Sequence, residues 1–263
     1  MRTSLKAEVR KLRYQRSTYG ILAGACAIAA ISAVSIIATA QLPRRELLMH
    51  LTDEATMQTV IASTAGGYIF ALVLGIVMST TEFRHSTAVA TYLAQPHRRT
   101  VMLAKMIIAA VMGVIVQFVS TGIGMIAATL YVQRYAHYNT PLDTYVRIMA
   151  GSVLVGAVLA VMGVALGSLI RSQLLAIMVS LLWLQLVEGL LIVFADWLGK
   201  WSIRGAISSV LDIAVKTGPG AGRLGGNSTL DQLGPWQSML LLLAYGAVFA
   251  VIATVTSMRR DVD

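Results

Sequence analysis

The side chains that could do chemistry in this 263-residue chain are few, and they fall into two groups. The first is a polar run, Glu82-Phe83-Arg84-His85-Ser86-Thr87, which continues through an uncharged stretch to Gln95-Pro96-His97-Arg98-Arg99 and is closed by Lys105. Its centre is uncharged and can form a short helix, which Pro96 cannot continue and so ends. A short helix bracketed by charge suits docking onto another protein, although an ordinary solvated loop has the same composition. The second group is three polar residues inside apolar runs, Gln117, Gln185 and Glu188. Placing such groups in hydrocarbon is costly, so each demands a partner or a polar path. His50, His85, His97 and His137 are dispersed, with no His-Glu-x-x-His, no cysteine cluster and no Gly-x-Ser-x-Gly turn; no catalytic residue and no metal ligand is predicted. Cys26, the only cysteine, lies in an apolar run, can form no intrachain disulfide and reads as a small hydrophobe.

The elements that must hold these residues follow from composition. The chain is 57% hydrophobic and 13% charged, with mean hydropathy +0.73. A soluble domain averages roughly 45–50% apolar and about 25% charged residues, so this chain lacks the polar surface to cover a water-facing sphere. It is expected to be an all-helical polytopic membrane protein, a single transmembrane domain over 1–263. Six stretches, 18–40, 59–80, 106–132, 148–170, 174–195 and 237–257, reach the length of about 20 apolar residues that a spanning helix needs. The alternation expected of barrel strands is absent. A basic start, an apolar run and Ala38-Thr39-Ala40 resemble a cleavable leader, but the run exceeds the ~7–15 residues of such a leader, so an uncleaved first span is expected. Within span four, Gly163-x-x-x-Gly167 permits close helix contact.

Basic residues set the orientation. Arg2, Lys6, Arg10, Lys11, Arg13 and Arg16 precede span one; Arg84, Arg98, Arg99 and Lys105 follow span two; Arg171 follows span four, and Arg259 and Arg260 follow span six. The opposite side holds most of the acids, so both termini are expected in the cytoplasm. Residues 1–17 form a basic amphipathic helix with Leu5, Val9 and Leu12 recurring at helical spacing. Residues 81–105 are then a cytoplasmic loop and 196–236 a long outer loop, its first half amphipathic and its second glycine-rich. Gln117, about twelve residues past Lys105, lies ~18 Å into the membrane at 1.5 Å per residue. Glu188, about seventeen residues past Arg171, lies ~25 Å in, toward the outer end of span five, where it either reaches the headgroups or lines a path. Gln185 stands one turn earlier on the same face, giving a polar strip.

Glu82, Thr87 after a small residue, Pro96, the Arg98-Arg99 pair and Lys105 resemble the E-x-x-x-G-T … P-x-x-R … K signature between spans two and three of ABC type-2 transporter permeases. The resemblance extends to six spans, a basic amphipathic start and a long loop before the last span; Ser86 stands where that family usually has glycine. It implies that the segment from Thr87 to Leu93 is a coupling helix seated in a separate cytoplasmic ATPase, that Glu82 and Arg84 join span two to it, and that Pro96, Arg98, Arg99 and Lys105 lead into span three. It also implies two permease copies, identical or paralogous, two ATPases that hold the ATP and Mg, re-entrant helices in the outer loop, and a path lined by span five, with Gln117, Gln185 and Glu188 as its candidates. The sequence itself has no G-x-x-x-x-G-K-[ST] loop, and no cytoplasmic segment reaches the length, of order 100 residues, that an ATP-binding domain needs. The expected function is therefore the permease of an ATP-driven exporter of lipid-like, drug-like or other amphiphilic substrates in the plasma membrane, binding no cofactor itself. A stand-alone carrier or channel is the alternative, weakened because no charge lies near the midplane of a span. The formal charge of +9 sits at membrane edges without interleaved aromatics, which favours anionic lipid over nucleic acid as its partner.

Overall fold

The computed structural model describes residues 2–40, 61–84, 98–135, 141–190, 199–211 and 233–259. Among these residues there are helices and no strand. Helix α1 (Arg2–Tyr14) and α2 (Arg16–Ala40) are separated by a break at Gln15. A tight 3-10 turn (Thr64–Gly67) leads into α3 (Tyr68–Arg84), followed by α4 (Arg98–Tyr135), α5 (Leu142–Ile170), α6 (Gln173–Leu182), a short α7 (Ile203–Val210) and α8 (Pro235–Arg259). Helix α6 runs straight into a π turn at Trp183–Val187, closed by the Glu188 N–H donating to the Trp183 carbonyl.

Among the described residues five helices are long and apolar enough to cross a membrane: Ile61–Glu82, Arg99–Leu130, Leu142–Ile170, Gln173–Leu190 and Pro235–Thr256. The first expected span falls within α2, whose apolar part Ser17–Ser32 is shorter. The helix ends depart from the sequence reading. Helix α4 begins at Arg98, so Arg98, Arg99 and Lys105 belong to it and not to a loop, and α5 begins at Leu142 rather than at residue 148. The apolar stretches bound only the spans; the helices carry on beyond them through charged residues.

Helix α5 is the axis of the bundle. It ends because Arg171 adopts a left-handed conformation, φ 58°, and returns its N–H to the Gly167 carbonyl, after which extended Ser172 starts α6. Two apolar clusters flank it. One gathers Leu72, Ile76, Leu159, Met162, Leu184, Ile207 and Leu242. The other joins Leu12 of α1 to Leu74, Met78, Met106 and Val164. In lipid there is no hydrophobic drive between helices, so close backbone approach has to supply the packing. Glycines permit it: a Cβ at Gly75 would run into the Ala160 carbonyl, one at Gly163 into the Leu72 carbonyl, and one at Gly113 into the Gly156 carbonyl. Gly163 and Gly167, the small-residue pair seen in the sequence, both face α3.

Candidate functional site

The charged cluster lies where α3 ends. Glu82, in the last turn of α3, accepts from Lys105 of α4 (Nζ to Oε2, 2.6 Å) and from Lys11 of α1 (Nζ to Oε1, 2.7 Å). Lys11 also pairs with Glu8, 3.1 Å away, one turn back on α1. Glu8, Glu82 and Lys105 are all buried. Two carboxylates and two ammonium groups balance, which is the condition under which buried charge is tolerated. Lys105 Nζ also approaches the Met78 carbonyl at 3.4 Å, where the negative end of the α3 dipole favours a cation. Burial pulls the Lys11 ammonium toward a lower pKa, but the hydrogen bond and charge of Glu82, with Glu8 behind, outweigh it and hold the pKa above the usual 10.5. The bond to Lys11 is therefore fully formed at neutral pH and is lost only as pH rises through that raised value. One carboxylate thus locks three helices together at the C-terminal end of α3.

Of the residues predicted for this region, the structure brings together Glu82 and Lys105. Arg84 and Arg99 are exposed on helix ends, Arg98 starts α4, and Thr87, Leu93 and Pro96 lie outside the described residues. The sequence reading missed Glu8 and Lys11 as partners. Of the apolar series on α1, Val9 is 52% exposed while Leu12 is buried, and Glu8 is buried with it. The available signal was Glu8 itself, the one acid before Glu46 in a strongly basic segment.

The three intramembrane polar residues do not converge. Gln117 of α4 is fully buried, and its Nε2 donates to the Ala65 carbonyl in the 3-10 turn (2.6 Å) and to Thr121 Oγ1 (3.0 Å). A tightened turn leaves a backbone carbonyl without its usual helical partner, and Gln117 satisfies it. Gln117→Leu is therefore expected to lower stability by about 1–3 kcal/mol, the cost of orphaning a buried acceptor. A melting temperature in detergent equal to that of the wild type would remove this role.

Glu188, at the other end of the bundle, is buried. Its Oε2 accepts the Arg204 backbone N–H (2.6 Å) and its Oε1 accepts the Trp183 indole N–H (3.2 Å). A carboxylate on the N-terminal amides of α7 complements that helix dipole, so Glu188 pins α7 to α6. Gln185 is exposed, which corrects the expectation of a shared strip. The π turn is the reason: its wider winding opens the angle between residues three apart, so one faces out and the other in. Beside it lies an apolar cavity of 260 Å³ among Leu72, Leu159, Met162, Trp183, Ile203 and Phe249. Glu188→Ala is expected to speed amide exchange at Ile203 to Gly205 by at least tenfold, with Glu188→Gln intermediate because one acceptor survives. Unchanged exchange in both would show that α7 is held by its apolar face alone.

Among the described residues no group of three His, Cys, Asp or Glu could hold a metal. What the fold offers is a bundle of membrane helices tied at one end by a charge lock and at the other by a pinned short helix, the frame of a transporter's membrane component. The chain matches the family model described as ABC-2 family transporter protein over residues 4–186, and it belongs to that family. The match spans α1 to the π turn, taking in Glu8, Lys11, Glu82, Lys105, Gln117 and Gln185, and ends before Glu188. Members of the family are membrane components of transporters, not themselves catalytic, and work with ABC ATPases. No curated protein matches the chain significantly.

Proposed function

We propose that this chain is the permease subunit of an ATP-driven exporter in the plasma membrane, with six spans, both termini in the cytoplasm and a second permease copy, identical or paralogous, beside it. A separate ATPase, which carries the ATP and Mg, docks on the segment from Thr87 to Leu93, with Arg84, Pro96, Arg98 and Arg99 at its margins. The observation that carries this reading is the Glu82 lock. A push on the segment between α3 and α4 is delivered to α1, α3 and α4 as one body, because Lys11 and Lys105 share one carboxylate. At the far end α7, held by Glu188, is the re-entrant element of an outer gate. The substrate is amphiphilic, in keeping with apolar surfaces along α6 and the apolar cavity at its π turn. A stand-alone carrier has less support, since the buried carboxylate of Glu188 and the amide nitrogen of Gln117 are both committed to backbone groups.

The test is purification of the tagged chain from its native membrane under mild detergent, with mass spectrometry of what accompanies it and measurement of ATP hydrolysis. A stoichiometric ATPase with vanadate-sensitive turnover, lost in Thr87→Arg, is the expected result. A nucleotide-inert homo-oligomer would overturn the reading.

A further inference from the structure

The 260 Å³ cavity beside the π turn is walled by α3, α5, α6 with its π turn, α7 and α8. Buried Leu72, Leu159 and Leu184 close its inner side, while Val179 and Trp183, 46% and 50% exposed, stand at its mouth on the outward face of α6. Among the described residues the lining holds no charged side chain. Its polar groups are already committed: the Ser180 hydroxyl donates to the Ala176 carbonyl of its own helix (2.6 Å), and the Trp183 indole N–H donates to Glu188. Any polar group of an occupant therefore has to stay at the mouth, because burying it inside would leave it without a partner. The cavity is also continuous with the junction of α6 and α7. Trp183 and Ile203 both line it, and Glu188 joins the indole of the first to the backbone N–H that follows the second, that of Arg204.

We propose that this cavity takes the compact ring group of an uncharged amphiphile that enters from the bilayer, and that its occupation holds α7 in place. An apolar cavity of about 150 Å³ lined by Leu, Ile and Phe stays dry and takes benzene, so this larger one has room for a ring system. A compact space of this volume is roughly 8 Å across, about half of the ~15 Å that one leaflet of hydrocarbon offers an extended chain. An acyl chain would leave much of its length outside, whereas a ring group is enclosed. Trp183 and Phe249 supply aromatic walls, which favour rings through offset or edge contacts. A ligand shifts an equilibrium only through contacts that differ between two states. Trp183 and Ile203 line one cavity only while α7 is docked, so an occupant that touches both favours the docked state. The inference rests on the amphiphilic substrate proposed above and narrows it to ring-bearing compounds. The two fail separately: a nucleotide-inert preparation would overturn the exporter and leave binding here intact.

The test is photolabelling of the full chain in phosphatidylcholine vesicles with a trifluoromethyl-diazirinyl benzyl alcohol, read by peptide mass spectrometry. Labelling of Met162 and Trp183 in wild type is expected to saturate and to be lost in excess naphthylmethanol, while hexadecanol leaves it in place. Label on Leu175, 55% exposed on the outer face of α6, should rise in proportion to the probe. Ser180→Leu fills the cavity, and the Ala176 carbonyl keeps its helical N–H donor. This variant is expected to lose the saturable label while its melting temperature holds or rises, as cavity filling does. Naphthylmethanol should slow amide exchange at Ile203 to Gly205 severalfold in wild type and not in Ser180→Leu. Proportional labelling at Met162 and Trp183 would overturn the proposal as ordinary bilayer contact, and equal competition by hexadecanol would make the cavity an acyl-chain site. Saturable label kept by Ser180→Leu would place the ligand elsewhere. Unchanged exchange in labelled wild type would overturn the link to α7. The wild-type arms decide the matter even if the variant fails to fold.

Discussion

Glu82→Ala is expected to destabilise the protein by about 3–5 kcal/mol, the usual cost of removing one member of a buried ion pair. Most of that cost falls on Lys105, which is 3% exposed and would keep only the Met78 carbonyl. Lys11 is half-exposed, but Lys11→Met takes the ammonium from buried Glu8 as well as from Glu82, so it too should destabilise, by about 1–3 kcal/mol. The informative protein is the double variant Glu82→Ala/Lys105→Met, which removes both buried charges and should recover much of the lost melting temperature. If hydrolysis by the associated ATPase then remains unlinked to transport, the carboxylate transmits motion. Recovery of linkage along with stability would limit Glu82 to holding helices together.

The second large effect is expected at the seam between α3 and α5. Gly163→Val and Gly75→Val each place carbon against a main-chain carbonyl of the facing helix, where no rotamer change can relieve it. Overpacking costs about 1–3 kcal/mol where side chains can move; here the helices must part, and little monodisperse protein should survive purification. Gly122→Ala is the control, since the nearest atom to its added Cβ is the Met149 methyl at 3.8 Å. Alanine there should be neutral or stabilising by up to about 1 kcal/mol through helix propensity. Size-exclusion profiles of the three variants check the contrast, and a normal profile for Gly163→Val would mean the seam is looser than its geometry.

The apolar runs made the later spans legible, because a stretch of about 20 uncharged residues has few other uses. Glu82 and Lys105 were legible as members of a pattern, but their bond was not: it depends on how far α3 and α4 slide past one another, and no local spacing encodes that. The inward face of α1 was not legible for a similar reason: the partner of Lys11 across the bundle, which turns Glu8 inward, leaves no mark in the local spacing. Glu188 found its partners among backbone amides, which every residue but proline possesses and which therefore leave no mark in a sequence. Gln185 was misplaced because a π turn has no compositional signature, and one turn of altered winding moves every side chain beyond it.

That turn sets a rule of register for chains of this kind. A π turn is one residue longer than the α turn it replaces, so the acid that reaches α7 stands one position later than it would in a continuous helix. In a chain with a single residue deleted within Trp183–Val187, the turn reverts to α and Glu188, now one position earlier, still faces α7. Rewinding the same residues as an α turn without the deletion strands α7 even though every polar group in the bundle is kept. Length, in this short stretch, is as much a determinant as residue type.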